Sequence, residues 1–309
     1  MASTVALERF CTGILRDFDA SFFFSKTRSL MQVFKIKVIA YYLSIKISNK
    51  TDTTINPSLK QHKESNKMNN QTGSLNWDIF QSINHHRRAI RDFSSQQISE
   101  DEIYAILTEA QLAPSSVNLQ PYQFHWVRNS AKKIEVAQFC NGQKAATTAA
   151  EIIVIVANTD YARQTIVEQL TSIDRSTTMP DKSKDYHRKI LTKFDKILKV
   201  GGLPIWTPIV SLLSMLRPCL SLLPIGHLGS RHWAARNATF AAQTLMLAAS
   251  AKGIDSCPME GFSAAKLSRL LDLPRGAVIP VVIALGYRSE NARVEEQSRR
   301  ALKTITIEH

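Results

Sequence analysis

The sequence predicts an α+β layer protein, and three observations point to that class. Two short apolar runs, residues 151–157 (EIIVIVA) and 277–285 (AVIPVVIAL), have the length and β-branched content of strands buried on both faces. Helical patterns surround them, one opened by a capping box in which Ser99 is followed three residues later by Glu102. A long helix at 232–252 is rich in Ala and Ser, which suits a central position that neighbours approach closely, and Gly253 stands where it stops. Helices around a few interior strands assemble as layers.

In chain order, the first well-patterned helix covers 76–88, with Ile79, Phe80 and Ile83 on one face and Trp77 a turn before Phe80. The capped helix turns Ile103, Ile106, Leu107 and Ala110 inward. It has to end by Ala113, because Pro114 disfavours helix in the residue before it. Residues 124–128 read as a short strand. Within 277–285, Pro280 cannot donate to a ladder and belongs where an amide is unpaired.

Composition narrows the partners. The 309 residues are 44% hydrophobic and 21% charged, enough to build a core rather than a disordered chain. Lys and Arg number 39 against 26 Asp and Glu, a net charge of +13 that suits nucleic acid, an acidic membrane surface or a phosphorylated ligand. Cys11, Cys140, Cys219 and Cys257 are far apart, so neither a disulfide framework nor a metal site is legible and a reducing, cytoplasmic setting is expected.

Residues 1–74 differ from the rest. They hold eleven Lys/Arg and five Asp/Glu, leaving +6 there and +7 on the remainder. They read as a poorly ordered extension and linker, with Met68 as an alternative start and a membrane-surface anchor as the rival reading. Residues 75–309 form the expected folded domain, with an inserted excursion at about 171–229. That excursion begins charged and becomes apolar over 200–225. Pro204, Pro208 and Arg217 argue against a spanning helix, so it covers a partner subunit or pocket, or touches a membrane surface peripherally.

Several polar clusters carry possible chemistry. Arg87, Arg88 and Arg91 place three fixed cations within five residues, and Arg87 and Arg91 share a face if the helix continues. Guanidinium forks match phosphate oxygens, whereas the plain alternative is a solvated patch at a helix end. Pro114, Ser115 and Asn118 belong to a rigid hydrogen-bonding turn. Asn141 and Lys144 lie in a helix-ending turn, and the Cys257–Phe262 stretch reads as a turn carrying Glu260 and Gly261. No Ser-His-Asp or Cys-His arrangement and no nucleic-acid motif is present.

R-R-x-x-R, P-S-S-x-N-x-Q-P, N-x-x-K, P-x-E-G-F and a late arginine pair, in that order, resemble the nitroreductase family over about three quarters of the chain. The resemblance implies a mixed sheet flanked by helices around a long central helix, in an intertwined homodimer with FMN at the interface. It implies that Arg87 and Arg88 hold the FMN phosphate and ribityl chain and Arg91 the flavin pyrimidine edge, with Ala89 in place of the family's usual Ser. Pro114, Ser115 and Asn118 would come from the second subunit, and Asn141 and Lys144 would bond the ring. Glu260 and Gly261 would face flavin N5, and Arg299 or Arg300 the phosphate. The implied activity moves electrons from NAD(P)H through FMN N5 to a small nitroaromatic, quinone or similar acceptor by ping-pong turnover, with no catalytic side chain. A same-fold reductive dehalogenase or flavin-modifying enzyme is one alternative. A non-enzymatic flavin- or membrane-surface-binding protein is another.

Overall fold

A computed structural model describes residues 61–201, 212 and 229–309. Residues 1–60 of the expected extension, and 202–211 and 213–228 of the expected apolar excursion, lie outside the described residues. Along the chain run α1 (Gln61–His86), α2 (Glu100–Ala110), β1 (Tyr122–Trp126), α3 (Ser130–Phe139) and α4 (Lys144–Thr147). There follow β2 (Glu151–Ala157), α5 (Thr159–Arg175), α6 (Asp181–Gly201), α7 (Gly229–Ala251), β3 (Asp255–Met259), α8 (Ala264–Leu270), β4 (Val278–Gly286) and α9 (Leu302–Ile305). Gly73–His309 form one compact unit; of the other unit, Met1–Thr72, the described residues are helical.

The strand β2 shows how an unbroken apolar run becomes an interior strand. Ile153, Ile155 and Ala157 enter one hydrophobic cluster, while Ile152, Val154 and Val156 enter another. With period two and cover on both sides, no face is left for polar residues. Beside it, β4 sends Val281, Ile283 and Leu285 to the first cluster and Val282 and Ala284 to the second. The first face is covered by α2, α5, α6 and the small-residue face of α7, and the second by α3, α4 and α8.

The sheet order is β1-β2-β4-β3. The α+β class holds, and every ladder among the described strands is antiparallel, where the resemblance implied a mixed sheet. Pro280 sits at the register shift where Ile155 faces Val281 and Ala157 faces Val278, beyond the reach of β3. Its missing N–H therefore costs the ladder nothing. The Ser99–Glu102 capping box forms with both reciprocal bonds. Gly253, at φ +73°, supplies the left-handed residue past α7.

Other expectations are corrected. α1 begins fifteen residues before the expected 76 and stops at His86. Its Leu75, Trp77, Ile79 and Phe80 are 46% to 59% exposed among the described residues, whereas Ile83 of the same face is half-buried and its carbonyl accepts from Ser250 Oγ at 3.0 Å. The β1 strand starts two residues before the expected 124. Cys257, Pro258 and Met259 are not a turn but most of β3, paired to Ala284, Ile283 and Val282. A proline and no alternation hide this strand, and its place at the sheet edge makes the proline tolerable.

Candidate active site

The arginine cluster is built on a strap. Helix α1 ends at His86, and the chain continues without helix across the edge strand. Ala89 bridges Ser256 of β3, and Ile90 N donates to Ser256 O at 3.1 Å. Phe93 bridges Arg288, Phe93 N donates to Thr148 Oγ1 at 3.1 Å, and Ser94 N donates to Tyr287 O at 2.8 Å. Arg288 in turn forks onto buried Asp255, with Nε at 2.8 Å and Nη2 at 2.6 Å from its two oxygens. That fork is geometrically matched and holds the end of β4 to the start of β3. The idea that Arg87 and Arg91 share a helical face is overturned, because they leave the strap and not a helix.

Arg87, Arg88 and Arg91 line a cavity of about 190 Å³ together with Arg293 and Arg299. Arg88 Nη2 donates to the carbonyl oxygen of Glu295. Arg87 Nε is buried and has no partner among the described residues. A desolvated guanidinium N–H without an acceptor is costly. Arg299 reaches the cavity and Arg300 does not line it.

A second group adjoins the first. Asn141 Nδ2 and Gln143 Nε2 both donate to Gly261 O, at 3.0 and 2.9 Å. Asn141 and Gly142 hold φ of +58° and +61°, the left-handed conformation that turns the Asn141 side chain to this task. Glu260 lies between Met259 of β3 and this fixed glycine, and its carbonyl accepts from Phe262 N at 3.1 Å. Lys144 Nζ pairs with Asp92 Oδ2 at 2.8 Å, and this hydrogen bond holds the Asp92 carboxyl below the usual carboxylate range. Asp92 follows Arg91 directly, so the pair joins the two groups.

Pro114, Ser115 and Asn118 lie elsewhere. Their turn packs beside Ala113 and Leu119 in the cluster on the α7 face, whereas Ile90 and Phe93 of the strap belong to the other face. Ser116 N donates to Asn237 Oδ1 of α7 at 2.8 Å, and Gln169 Nε2 donates to Asn118 O at 2.8 Å. Val117 and Asn118 have φ of 55° and 53°, and for β-branched Val117 that is real strain, of the kind found at binding turns. Within one chain, no hydrogen bond among the described residues joins this turn to the arginines. Sequence reading missed Asp92, Gln143 and Arg293. Gln143 had a signal in its place between Asn141 and Lys144; the other two depend on distant partners.

The nitroreductase family's sequence pattern matches residues 85–287. YfkO of Bacillus subtilis, which carries the name of an NAD(P)H nitroreductase, is 27% identical over 223 residues, covering 69% of this chain and 90% of its own. A protein of Thermus thermophilus named NADH dehydrogenase is 25% identical over 204 residues, 66% of this chain and 84% of its own. The fold is similar to that of a protein from Exiguobacterium sibiricum solved in complex with FMN. That likeness has a TM-score of 0.59 at 20% identity, covering 74% of this chain and 97% of the other. The matched stretch runs from the end of α1 through the strap, the whole sheet and α7, and on that match the chain belongs to the nitroreductase family.

Proposed function

We propose that this protein is an FMN-dependent oxidoreductase. It takes electrons from NAD(P)H and passes them to a small acceptor of the nitroaromatic or quinone kind in ping-pong turnover. The observation that carries the reading is the gathering of Arg87, Arg88, Arg91, Arg293 and Arg299 around one cavity, a cationic excess over Glu295 and Glu296 on the same wall. That donor set fits a phosphate monoester, and the names of relatives, together with the FMN complex of the Exiguobacterium protein, support the rest.

FMN, when bound, supplies the centre that accepts a hydride and hands electrons on. Arg87, Arg88 and Arg299 hold the phosphate end. Ala89 offers no hydroxyl there, so the guanidinium groups do this work without one. Arg91 and Lys144 would supply positive charge toward the flavin ring, and Asp92 holds Lys144 in place at 2.8 Å. Asn141 and Gln143 hold the Gly261 carbonyl, so the Glu260–Gly261 turn would present itself to a flavin already ordered. No side chain acts as a nucleophile. The protein binds, orients and excludes water.

The exposed Leu75, Trp77, Ile79 and Phe80 and the remote, strained Pro114–Asn118 turn support a homodimer, in which that turn covers the flavin of the second copy. Residues 75–309 constitute the catalytic domain. The purified full chain will be yellow, will bleach anaerobically with NADH or NADPH, and will give parallel double-reciprocal lines with menadione. Colourless protein that takes up no FMN overturns the reading, and converging lines overturn ping-pong turnover. Arg87→Gln or Arg91→Gln will weaken FMN retention by roughly tenfold to a hundredfold, the worth of a charge-assisted hydrogen bond.

A further inference from the structure

The second charge concentration of the molecule lies on α6, far along the chain from the strap. Its sequence, DKSKDYHRKILTKFDKILKVG, holds six lysines and an arginine against three aspartates. One face is committed to the core. Leu191, Ile197 and Leu198 are buried, and Phe194 packs on Trp233 of α7 with ring centroids 6.4 Å apart. The opposite face carries exposed Lys182, Lys189, Lys193 and Lys196, at spacings of seven, four and three residues. Those spacings bring the four onto one side of the helix, over about 21 Å of its length.

Of the helix's three aspartates, Asp181 beside Lys182 is exposed with no ion pair among the described residues, and the other two are occupied. Asp195 is held by Arg163 at 3.1 Å and Lys199 at 2.6 Å, and Asp185 by Arg188 at 3.2 Å. The remaining cations of the helix also have partners: Lys184 bonds Ser176 O at 2.6 Å and Arg188 reaches Asp174 at 2.7 Å. Among the described residues, none of the four stripe lysines has an ion-pair partner. Tyr186, 61% exposed, and Val200, 41% exposed, flank the stripe. From Val200 to Leu216 the sequence carries no charge, and Leu212 within it is 64% exposed.

We infer that the lysine face of α6 is a docking surface for an anionic lipid bilayer. Lysines arrayed along a rigid helix meet a plane of negative headgroups, and the amphipathic Tyr186 and the aliphatic Val200 at its borders suit the interface between headgroups and acyl chains. A second copy of this face would repel it. Among the described residues no helix is long and apolar enough to cross a membrane. The inference does not depend on the flavin reading, since no residue of α6 belongs to the arginine cavity.

The test is vesicle co-sedimentation of the full chain. Phosphatidylcholine vesicles containing phosphatidylglycerol will carry the protein down, pure phosphatidylcholine vesicles will carry much less, and added salt will release it. Neutralising one lysine costs roughly fivefold in partitioning, so Lys189→Gln, Lys193→Gln and Lys196→Gln together will lower it about a hundredfold. Arginine at the same three positions will restore it. Circular dichroism and flavin content, unchanged in both variants, show that the fold is intact. Unaltered sedimentation of the triple glutamine variant overturns the proposal, because the N-terminal cations or the uncharged stretch would then make the contact. Equal affinity for pure phosphatidylcholine, or tighter binding to transfer RNA than to anionic vesicles, overturns it as well.

Discussion

Lys144 Nζ lies 2.8 Å from Asp92 Oδ2, tying the first residue of a four-residue helix to the strap residue that follows Arg91. The carboxylate offsets part of the positive charge gathered there. Asp92→Asn will therefore raise the midpoint potential of the bound flavin, and Lys144→Gln will lower it, each by about 20–40 mV for a unit charge nearby. Spectroelectrochemical titration measures both. Because its folded-state pKa lies below the ordinary 3.8, Asp92 contributes stability above that value. The contribution disappears as pH falls through the lower folded value.

Gly286 ends β4 against the ring of Phe93. A Cβ built there would sit 2.7 Å from two carbons of that ring, closer than packing permits. Gly286→Ala has to displace Phe93, whose backbone is bonded to Thr148, and with it the neighbouring Arg91 and Asp92. The expected result is a loss of about 1–3 kcal/mol in unfolding free energy, as in other overpacked cores, accompanied by weaker FMN retention. Thermal unfolding and flavin titration read the two effects. Unchanged flavin affinity in a destabilised variant would separate the strap from the site.

Burial pushes the Cys140 thiol up to about 11 and raises that of Cys257, the latter against the opposing pull of Arg91. Both remain protonated at mildly alkaline pH, and a buried thiol is a poor nucleophile. Iodoacetamide treatment of the native protein followed by peptide mapping will leave both unmodified. Denaturant will expose both to alkylation.

His125 on β1 is half-buried, its Nε2 has no partner among the described residues, and burial lowers its pKa below the ordinary 6.5. Above that value folded and unfolded chains are both neutral there, so the residue has no pH-dependent effect. As pH falls below 6.5 the unfolded chain takes the proton first, and stability declines until the folded value is reached. His125→Gln will flatten that acid-side decline in Tm by up to a few degrees, measured by calorimetry across the range.

Much of the frame was legible in the residues. The EIIVIVA run specified β2 to the residue, because a strand covered on both faces needs no partner information to be recognised. Ser99 with Glu102 started α2, and Gly253 ended α7, because caps are local chemistry. β3 escaped notice, since Asp-Ser-Cys-Pro-Met has no alternation and becomes a strand only by pairing with β4. The arginines are visible as a cluster, but the pattern that extends the helix to Arg88 runs two residues past its end at His86.

Sequence alone thus determined the α+β layering, the order of the motifs and the clustering of Arg87, Arg88 and Arg91. These follow from periodicity, caps and composition, all of them short-range. Tertiary structure decided that the arginines stand on a strap, that Arg293 joins Arg299 while Arg300 stays outside, and that Asp92 holds Lys144. It also decided that the Pro114–Asn118 turn belongs to the other face of the sheet. Each of those outcomes rests on hydrogen bonds and packing between residues tens to hundreds of positions apart, and a local pattern carries no record of such partners.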